Sequence, residues 1–275
     1  MTRVLRITAR NARFQQWRAL LTSRAKRQRA GEFLVQGVRP ISLAAGAGWR
    51  FRALIYDADR PLSGWAQDLL GTVDADQVAM SADLLAELGE KDEGRPELLA
   101  VVEMPGDDLD RVQVGPDFLG LMLDRPASPG NLGSMIRSAD AFGAAGVIVA
   151  GHAADPYDPR SVRASTGSLF ARPVVRVPSP RELSGWLAAR EYPVALIGTD
   201  EHGTVDVFDA DLTRPALLLM GNETAGLSAA WRELCDELVR IPMTGSASSL
   251  NVANAATAVL YEAARQRLVA GRQAR

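Results

Sequence analysis

Residues 215–227, Pro215-Ala216-Leu217-Leu218-Leu219-Met220-Gly221-Asn222-Glu223-Thr224-Ala225-Gly226-Leu227, pass from a short apolar run straight into a polar loop bounded by glycines. A short unbroken apolar run reads as a strand buried on both faces, the usual state of a strand in a parallel sheet. The glycines allow a backbone to approach a ligand closely. Two further stretches repeat the pattern. Phe118 to Leu123 leads into Asp124-Arg125-Pro126-Ala127-Ser128-Pro129-Gly130-Asn131-Leu132-Gly133 and then Arg137, and Leu238 to Pro242 leads into Met243-Thr244-Gly245-Ser246-Ala247-Ser248-Ser249-Leu250-Asn251. In open α/β sheets ligands bind beyond the carboxyl ends of the strands, so these loops are expected to share one site.

Outward from these loops, the pattern predicts strands at 118–123, 146–150, 173–177, 193–198, 215–220 and 238–242. Helices are expected near 132–142, 159–169, 180–190, 228–235 and 251–269. Such alternation favours a mostly parallel sheet with helices on both faces. The first hundred residues alternate as well: a helix over 11–29, a strand at Glu32 to Gln36, a helix at Val38 to Ala45 and a strand at Arg52 to Tyr56. A helix near Leu62 to Leu70, a strand at Gln77 to Met80, a helix at Ala82 to Leu88 and a strand at Leu98 to Val102 follow. A polar stretch opening at Pro105-Gly106-Asp107-Asp108 and running to Pro116-Asp117 reads as a linker. The expected organisation is a small α/β domain over 1–105, a linker over 106–116 and a larger α/β domain over 117–275.

The chain has 275 residues, 47% of them hydrophobic, enough to bury cores in two modest domains. Its apolar runs are too short to span a bilayer and its basic N-terminus lacks a signal-peptide core, so the expectation is a soluble, cytoplasmic protein. Cys235 is the single cysteine and reads as a core residue. The two histidines, His152 and His202, stand apart as loop residues, so no metal is expected. Neither a G-x-G-x-x-G turn after a strand nor a G-x-x-x-x-G-K-[ST] loop occurs, which removes support for dinucleotide and NTP binding.

Charge is unevenly spread. The formal net charge is −2, yet Arg3, Arg6, Arg10, Arg13, Arg18, Arg24, Lys26, Arg27, Arg29 and Arg39 face only Glu32 within residues 1–40. Two readings fit: a solvated helix face, or a surface that binds nucleic-acid phosphates by releasing counterions. On the second reading Arg10, Arg13, Arg24, Lys26, Arg27, Arg29 and Arg39 are the candidate RNA contacts. Trp17 lies inside this segment and reads as a packing group, as do Trp49, Trp65, Trp186 and Trp231.

Within the loops, Asn131 is placed to cap the helix that follows it. Arg137 lies among Ile136, Ala139 and Phe142, near a face expected to be buried, where a guanidinium needs a carboxylate, phosphate or ligand. Glu223 suits a cation, a hydroxyl or a cap on the helix near Ser228. Gly245 to Asn251 offers small hydroxyls and backbone amides ahead of an alanine-rich helix, able to bind a carboxylate or hydroxyls without metal.

On these residues the chain resembles the SpoU family of RNA 2′-O-ribose methyltransferases, the TrmH-like branch of the SPOUT superfamily. The likeness spans residues 117–268. It rests on Asn131 and Arg137, on Gly221-Asn222-Glu223, and on Pro242-Met243 with Ser249-Leu250-Asn251-Val252, in that order. Weaker family elements are Phe33-Leu34-Val35-Gln36-Gly37 and Ser165 with Gly167 in Arg163-Ala164-Ser165-Thr166-Gly167. Two positions depart from the pattern: Thr224 stands where the family has glycine, and Ser248 where it often has an acid.

The resemblance implies a knotted SPOUT α/β domain, with 241–268 threaded through a loop as a trefoil, preceded by an L30e-like RNA-binding domain. It implies a homodimer and bound S-adenosylmethionine. Leu219, Met220, Gly221, Asn222, Gly226, Ile241, Met243, Ser249 and Leu250 are the expected cofactor contacts. Arg137 is expected to position or activate the attacking ribose 2′-hydroxyl, with Asn131, Glu223, Ser249 and Asn251 arranging the reacting groups. The layout points to 23S rRNA and to an avilamycin-type resistance enzyme. Housekeeping methylation of rRNA or tRNA, methylation of a base nitrogen, and a non-catalytic RNA-binding assembly role are the alternatives.

Overall fold

Strands β6 (Leu119–Asp124), β7 (Gly146–Ala150) and β11 (Ala216–Met220) are buried along their whole length, as their unbroken apolar sequences require. The computed structural model describes residues 4–89 and 95–273. By internal contacts it divides into two units, Met1–Pro105 with Tyr157–Ala171, and Gly106–Pro156 with Arg172–Arg275. Arg3 of the basic segment lies outside the described residues.

The first unit is built on a five-stranded sheet. Its strands are β1 (Val4–Ile7), β2 (Glu32–Gln36), β3 (Phe51–Asp57), β4 (Asp76–Met80) and β5 (Leu98–Glu103), in the order β1-β4-β3-β5-β2. β1, β4 and β3 run parallel, while β5 is antiparallel to both β3 and β2. Successive residues of a strand face opposite sides, and β2 shows it. Leu34 packs with Phe14, Trp17 and Leu20, whereas Phe33 meets Tyr157, Trp49 and Phe170 at ring-centroid distances of 4.8, 6.1 and 6.2 Å. That aromatic cluster, with Trp49 Nε1 donating to the Phe170 carbonyl at 3.1 Å, explains why 157–171 belongs to this unit.

The helix expected over 11–29 is two helices, α1 (Ala12–Thr22) and α2 (Arg24–Ala30). Ser23, extended at φ −126° and ψ 109°, ends the first and caps the second, its hydroxyl accepting from Lys26 N. α3 (Val38–Gly46), α4 (Gly64–Thr72) and α5 (Ala82–Leu88) match the expected helices. The helix expected over 159–169 is also split, into α7 (Pro159–Ser165) and α8 (Ser168–Ala171). Thr166 at φ 49° and Gly167 at φ 98° break it, and a Cβ on Gly167 would lie 2.5 Å from Leu43 Cδ1.

In the second unit all seven strands are parallel, in the order β10-β12-β9-β11-β6-β7-β8. Here β8 is Val174–Val177, β9 Ala195–Thr199, β10 Val205–Asp206 and β12 Glu237–Arg240. β10 and β1 are short strands that the sequence pattern had left unassigned. Helices α6 (Pro129–Ala141), α9 (Pro180–Ala188), α10 (Ala229–Arg232) and α11 (Val252–Gln273) complete the unit, with a 3-10 turn at Leu109–Arg111 in the expected linker. α11 packs on α6. Arg267 anchors it by donating to four carbonyls, those of Asp117, Leu212, Arg214 and Phe118, at 2.6 to 2.9 Å. Among the described residues no helix is long and apolar enough to cross a membrane.

Candidate functional site

Because β6, β11 and β12 are parallel, the loops after Asp124, Met220 and Arg240 leave the same edge of the sheet, as anticipated for a shared site. The first two are tied together beneath the surface. Asp124, 1% exposed, holds the Arg125 guanidinium through two hydrogen bonds of 2.9 Å and accepts from Ser228 N at 2.8 Å. Arg125 in turn donates to the Gly226 carbonyl at 3.2 Å, and its own carbonyl accepts from Asn222 Nδ2 at 2.7 Å. It does this from φ 52°, a left-handed conformation unusual for a residue with a Cβ. Sequence reasoning missed this strut; the buried acid at the end of an all-apolar strand was its available signal.

Residues 221–227 form a closed loop. Asn222 and Gly226 exchange backbone hydrogen bonds at 3.0 and 3.1 Å, and the Asn222 side-chain oxygen accepts from the amides of Thr224 and Ala225. The left-handed turn falls on Gly226 at φ 63°, and Thr224 is not among the residues of positive φ. A threonine in place of the family's glycine is therefore accommodated without backbone strain.

Glu223 does not cap the helix near Ser228. Its carboxylate reaches the entry to α6, accepting from Ala127 N at 2.9 Å and Ser128 N at 3.1 Å, and from Asn131 Nδ2 at 3.1 Å. Partial burial would raise its pKa, but these hydrogen bonds outweigh that and hold it below the usual glutamate range. Nor is Asn131 the cap of α6. Ser128 takes that role, its hydroxyl accepting from Asn131 N, because Pro129 already supplies the preset φ of a first helical residue. The Asn131 side chain is thereby released to bridge Glu223 and Asn251, whose Nδ2 donates to Asn131 Oδ1 at 3.2 Å. Asn251 Oδ1 meanwhile accepts from Ala253 N at the start of α11. One residue from each of the three loops thus joins a single chain of hydrogen bonds.

A second bridge ties α6 to α11. Ser138, seven residues beyond Asn131 and so on the same helix face, lies 2.7 Å from the Thr257 hydroxyl. Thr257 donates its proton to the Ala253 carbonyl at 2.8 Å, which makes Ser138 the donor between them. Arg137, one residue before Ser138, lies about 100° around α6 from it and so off the face that carries both bridges. It is exposed, which corrects the expectation of a buried face, and it makes no hydrogen bond or ion pair with the described residues. Leu132, Met135, Ile136 and Ala139 are the buried face of α6.

A cavity of about 410 Å³ opens over the carboxyl ends of β9, β11 and β12, within the size range of small-molecule sites. Of the expected cofactor contacts, Met220, Gly221, Asn222, Gly226, Ile241, Met243, Ser249 and Leu250 line it, with Glu223. Leu219 does not; it is fully buried, and its carbonyl accepts from Thr199 Oγ1. Thr199, Asp200, Glu201, His202 and Arg232 also line the cavity and were not singled out from the sequence. Thr199 ends β9 and Asp200, Glu201 and His202 follow it, while Arg232 comes from α10; no glycine-rich loop marks this strand end, though its being a parallel strand was a clue. Asp200 is ion-paired with Arg232 at 2.8 Å. Apolar walls, glycine-bounded backbone and an acidic side fit a flat base joined to a cationic sulfonium and amine. No cluster of three or more metal-binding side chains occurs among the described residues.

The basic segment divides. Arg27 is 2% exposed, donates to the Leu20 carbonyl at 2.6 Å and pairs with Asp158 at 3.6 Å, so it is an internal strut and not an RNA contact. Arg10 is paired with Glu87 and Arg13 with Asp76, which halves the case for them as phosphate contacts. Arg24 is half-buried and partnered. Arg39 is exposed and donates to the Thr166 carbonyl; Lys26 and Arg29 are exposed without an ion-pair partner among the described residues. Trp17 is buried, with the Arg13 guanidinium 5.3 Å from its ring centroid.

Comparison with known proteins shows the family. The SpoU rRNA Methylase family model matches residues 119–261, and the SpoU L30e-like domain model matches residues 11–100. The chain belongs to the SpoU rRNA methylase family. The fold of this SpoU methylase is the SPOUT-type α/β fold with an N-terminal L30e-like domain. It is 68% identical over 98% of its length to a 23S rRNA (uridine(2479)-2′-O)-methyltransferase of Streptomyces viridochromogenes, covering 94% of that protein. It is similar to the crystal structure of the SpoU methyltransferase AviRb from the same organism in complex with AdoMet, with a TM-score of 0.91 over 94% of this chain and 99% of that one, at 68% identity. An AdoMet-bound rRNA methyltransferase from Sinorhizobium meliloti gives a TM-score of 0.85 at 30% identity over 95% of this chain and 98% of its own.

Proposed function

We infer that this SpoU methylase transfers the methyl group of S-adenosylmethionine to a ribose 2′-hydroxyl of 23S rRNA. The observation that carries the residue assignment is the Glu223-Asn131-Asn251 hydrogen-bond chain, which joins all three motif loops beside a cavity of cofactor size. Bound S-adenosylmethionine supplies an electrophilic methyl group for in-line displacement. The residues lining the cavity would hold it.

The protein's own task is placement and proton management at a weak nucleophile. Arg137, with no carboxylate competing for its donors, is assigned to orient the 2′-hydroxyl or the adjoining phosphate. Asn131, held at both ends, fixes the first turn of α6 and therefore where Arg137 projects. Glu223 and Asn251 fix Asn131, while Ser249 and Leu250 border the cavity. Lys26, Arg29 and Arg39 supply exposed positive charge for RNA.

The target nucleoside is uridine, as in the Streptomyces relative, and the modification serves resistance of the avilamycin type. The chain works in the cytoplasm, where ribosomes are. It acts as a homodimer, supported by exposed Tyr261, Leu268 and Val269 along α11, at 57%, 64% and 40%. Residues 241–268 are threaded through a loop as a trefoil knot. The deciding experiment is transfer of labelled methyl to separated tRNA, 16S rRNA and 23S rRNA, with nucleoside analysis of the product. Label in 2′-O-methyluridine of 23S rRNA is the expected result; label confined to tRNA or to a base would sink the assignment.

A further inference from the structure

Two family elements have no part in the site above, Phe33-Leu34-Val35-Gln36-Gly37 and Arg163-Ala164-Ser165-Thr166-Gly167. Within the first unit they converge on one cavity of about 250 Å³, lined by Leu34 to Gly37 from one and by Arg163 and Thr166 from the other. Its floor is apolar and buried, made by Leu34, Val35, Leu88, Leu99 and Val162. Its rim is polar and cationic, with Gln36, Arg39, Arg163 and Thr166, and no acidic side chain lines it among the described residues. Arg39 and Arg163 are exposed.

The rim is built by unusual backbone on both sides. Gly37, at φ 97°, turns the chain out of β2 into α3, which brings Arg39 to the rim. Thr166, left-handed at φ 49°, ends α7 and presents its carbonyl to Arg39 Nε at 3.2 Å. A β-branched residue rarely adopts that conformation, and it persists only where the surrounding structure over-determines it. That both odd conformations border one cavity argues that its shape is specified.

We propose that this cavity takes an unstacked nucleobase of the RNA substrate, with a flanking phosphate on Arg39 and Arg163. A base has two apolar faces and a polar edge, which an apolar slot rimmed by an amide and a hydroxyl matches; the phosphate beside it is anionic. Proteins read RNA sequence chiefly through such splayed-out bases. A simple anion would make no use of the apolar floor, and an apolar ligand none of two arginines. Lys26 and Arg29 on α2 add exposed positive charge to the same unit, which favours a phosphate backbone there. The proposal rests on the reading of the chain as an rRNA methyltransferase.

The test measures the dissociation constant of full-length wild-type protein for unmodified 23S rRNA beside those of Arg39→Ala and Val162→Phe, the second filling the slot. Both variants should weaken RNA binding about tenfold, the scale of one lost base contact, with S-adenosylmethionine affinity unchanged. Saturation-transfer NMR with uridine 5′-monophosphate should mark the base protons in wild type and not in Val162→Phe. RNA affinity unchanged in Arg39→Ala, whose side chain is exposed, overturns the proposal. So does an equal response to ribose 5-phosphate, which would mean an anion site only. Should wild type bind but transfer no methyl to 23S rRNA, the methyltransferase reading fails separately, while the affinities still judge the cavity.

Discussion

Asn251 donates to Asn131 at 3.2 Å across 120 residues of sequence, and Asn131 passes the restraint to Glu223 at 3.1 Å. The two asparagines hold the first turns of α6 and α11 in register, so changing either should misplace Arg137 without emptying the cofactor cavity. Asn131→Ala is expected to lower kcat about tenfold or more, the scale of a misplaced catalytic group, with little change in S-adenosylmethionine affinity. Equal loss of cofactor binding would place Asn131 in the cofactor site instead.

Arg137→Ala should lower kcat by about two orders of magnitude, the usual contribution of a group that handles a proton or aligns a nucleophile. Calorimetric binding of S-adenosylmethionine should persist. Because Arg137 is exposed and unpaired, the melting temperature should stay near that of wild type.

The depressed pKa of Glu223 predicts a particular pH dependence. Its carboxylate is favoured in the folded state, so its contribution is present above the unfolded glutamate pKa, about 4.3, and is lost as pH falls through the lower folded value. Glu223→Gln should therefore be less stable than wild type at neutral pH, and the gap should close in acid. Urea midpoints measured from pH 7 down to pH 3 would reveal the closing, and a gap constant over that range would show that charge plays no part.

Arg125 joins the loop after β6 to the loop after β11, and Lys cannot reproduce its fork of donors to Asp124 and Gly226. Arg125→Lys should loosen residues 221–228 and weaken S-adenosylmethionine binding about tenfold, the cost of about one charged hydrogen bond. Hydrogen exchange at Asn222 and Ser228 is the direct readout.

Cys235 offers a chemical test. Burial, with the adjacent Asp236, pushes its thiol pKa up to about 11, so iodoacetamide at pH 8 should leave it unmodified in the folded protein and label it in urea.

Legibility from sequence followed the range of the interactions involved. The β6, β7 and β11 strands were readable because burial on both faces demands an unbroken apolar run, a local pattern. The alternation of strands and helices then fixed the α/β class, and the resemblance of the three loops to the family motifs picked out Asn131, Glu223 and Asn251 as candidate site residues. Their partners were not readable. Asn131 looked like a cap because capping is local; its bond to Asn251 depends on two helices meeting, which only packing decides.

Arg27 and Arg137 make the same point with opposite outcomes. Both are helical arginines, and the sequence around them made the first look like surface and the second like interior. Tertiary structure reversed them, since Arg27 faces the Leu20 carbonyl and Asp158 while Arg137 projects from the open side of α6. The sequence by itself determined the α/β class, most of the elements and the family, because each is written in short-range pattern. Which polar groups ended up paired, buried or free was decided only by the fold, because a hydrogen bond or a desolvation cost exists only once distant segments are brought together.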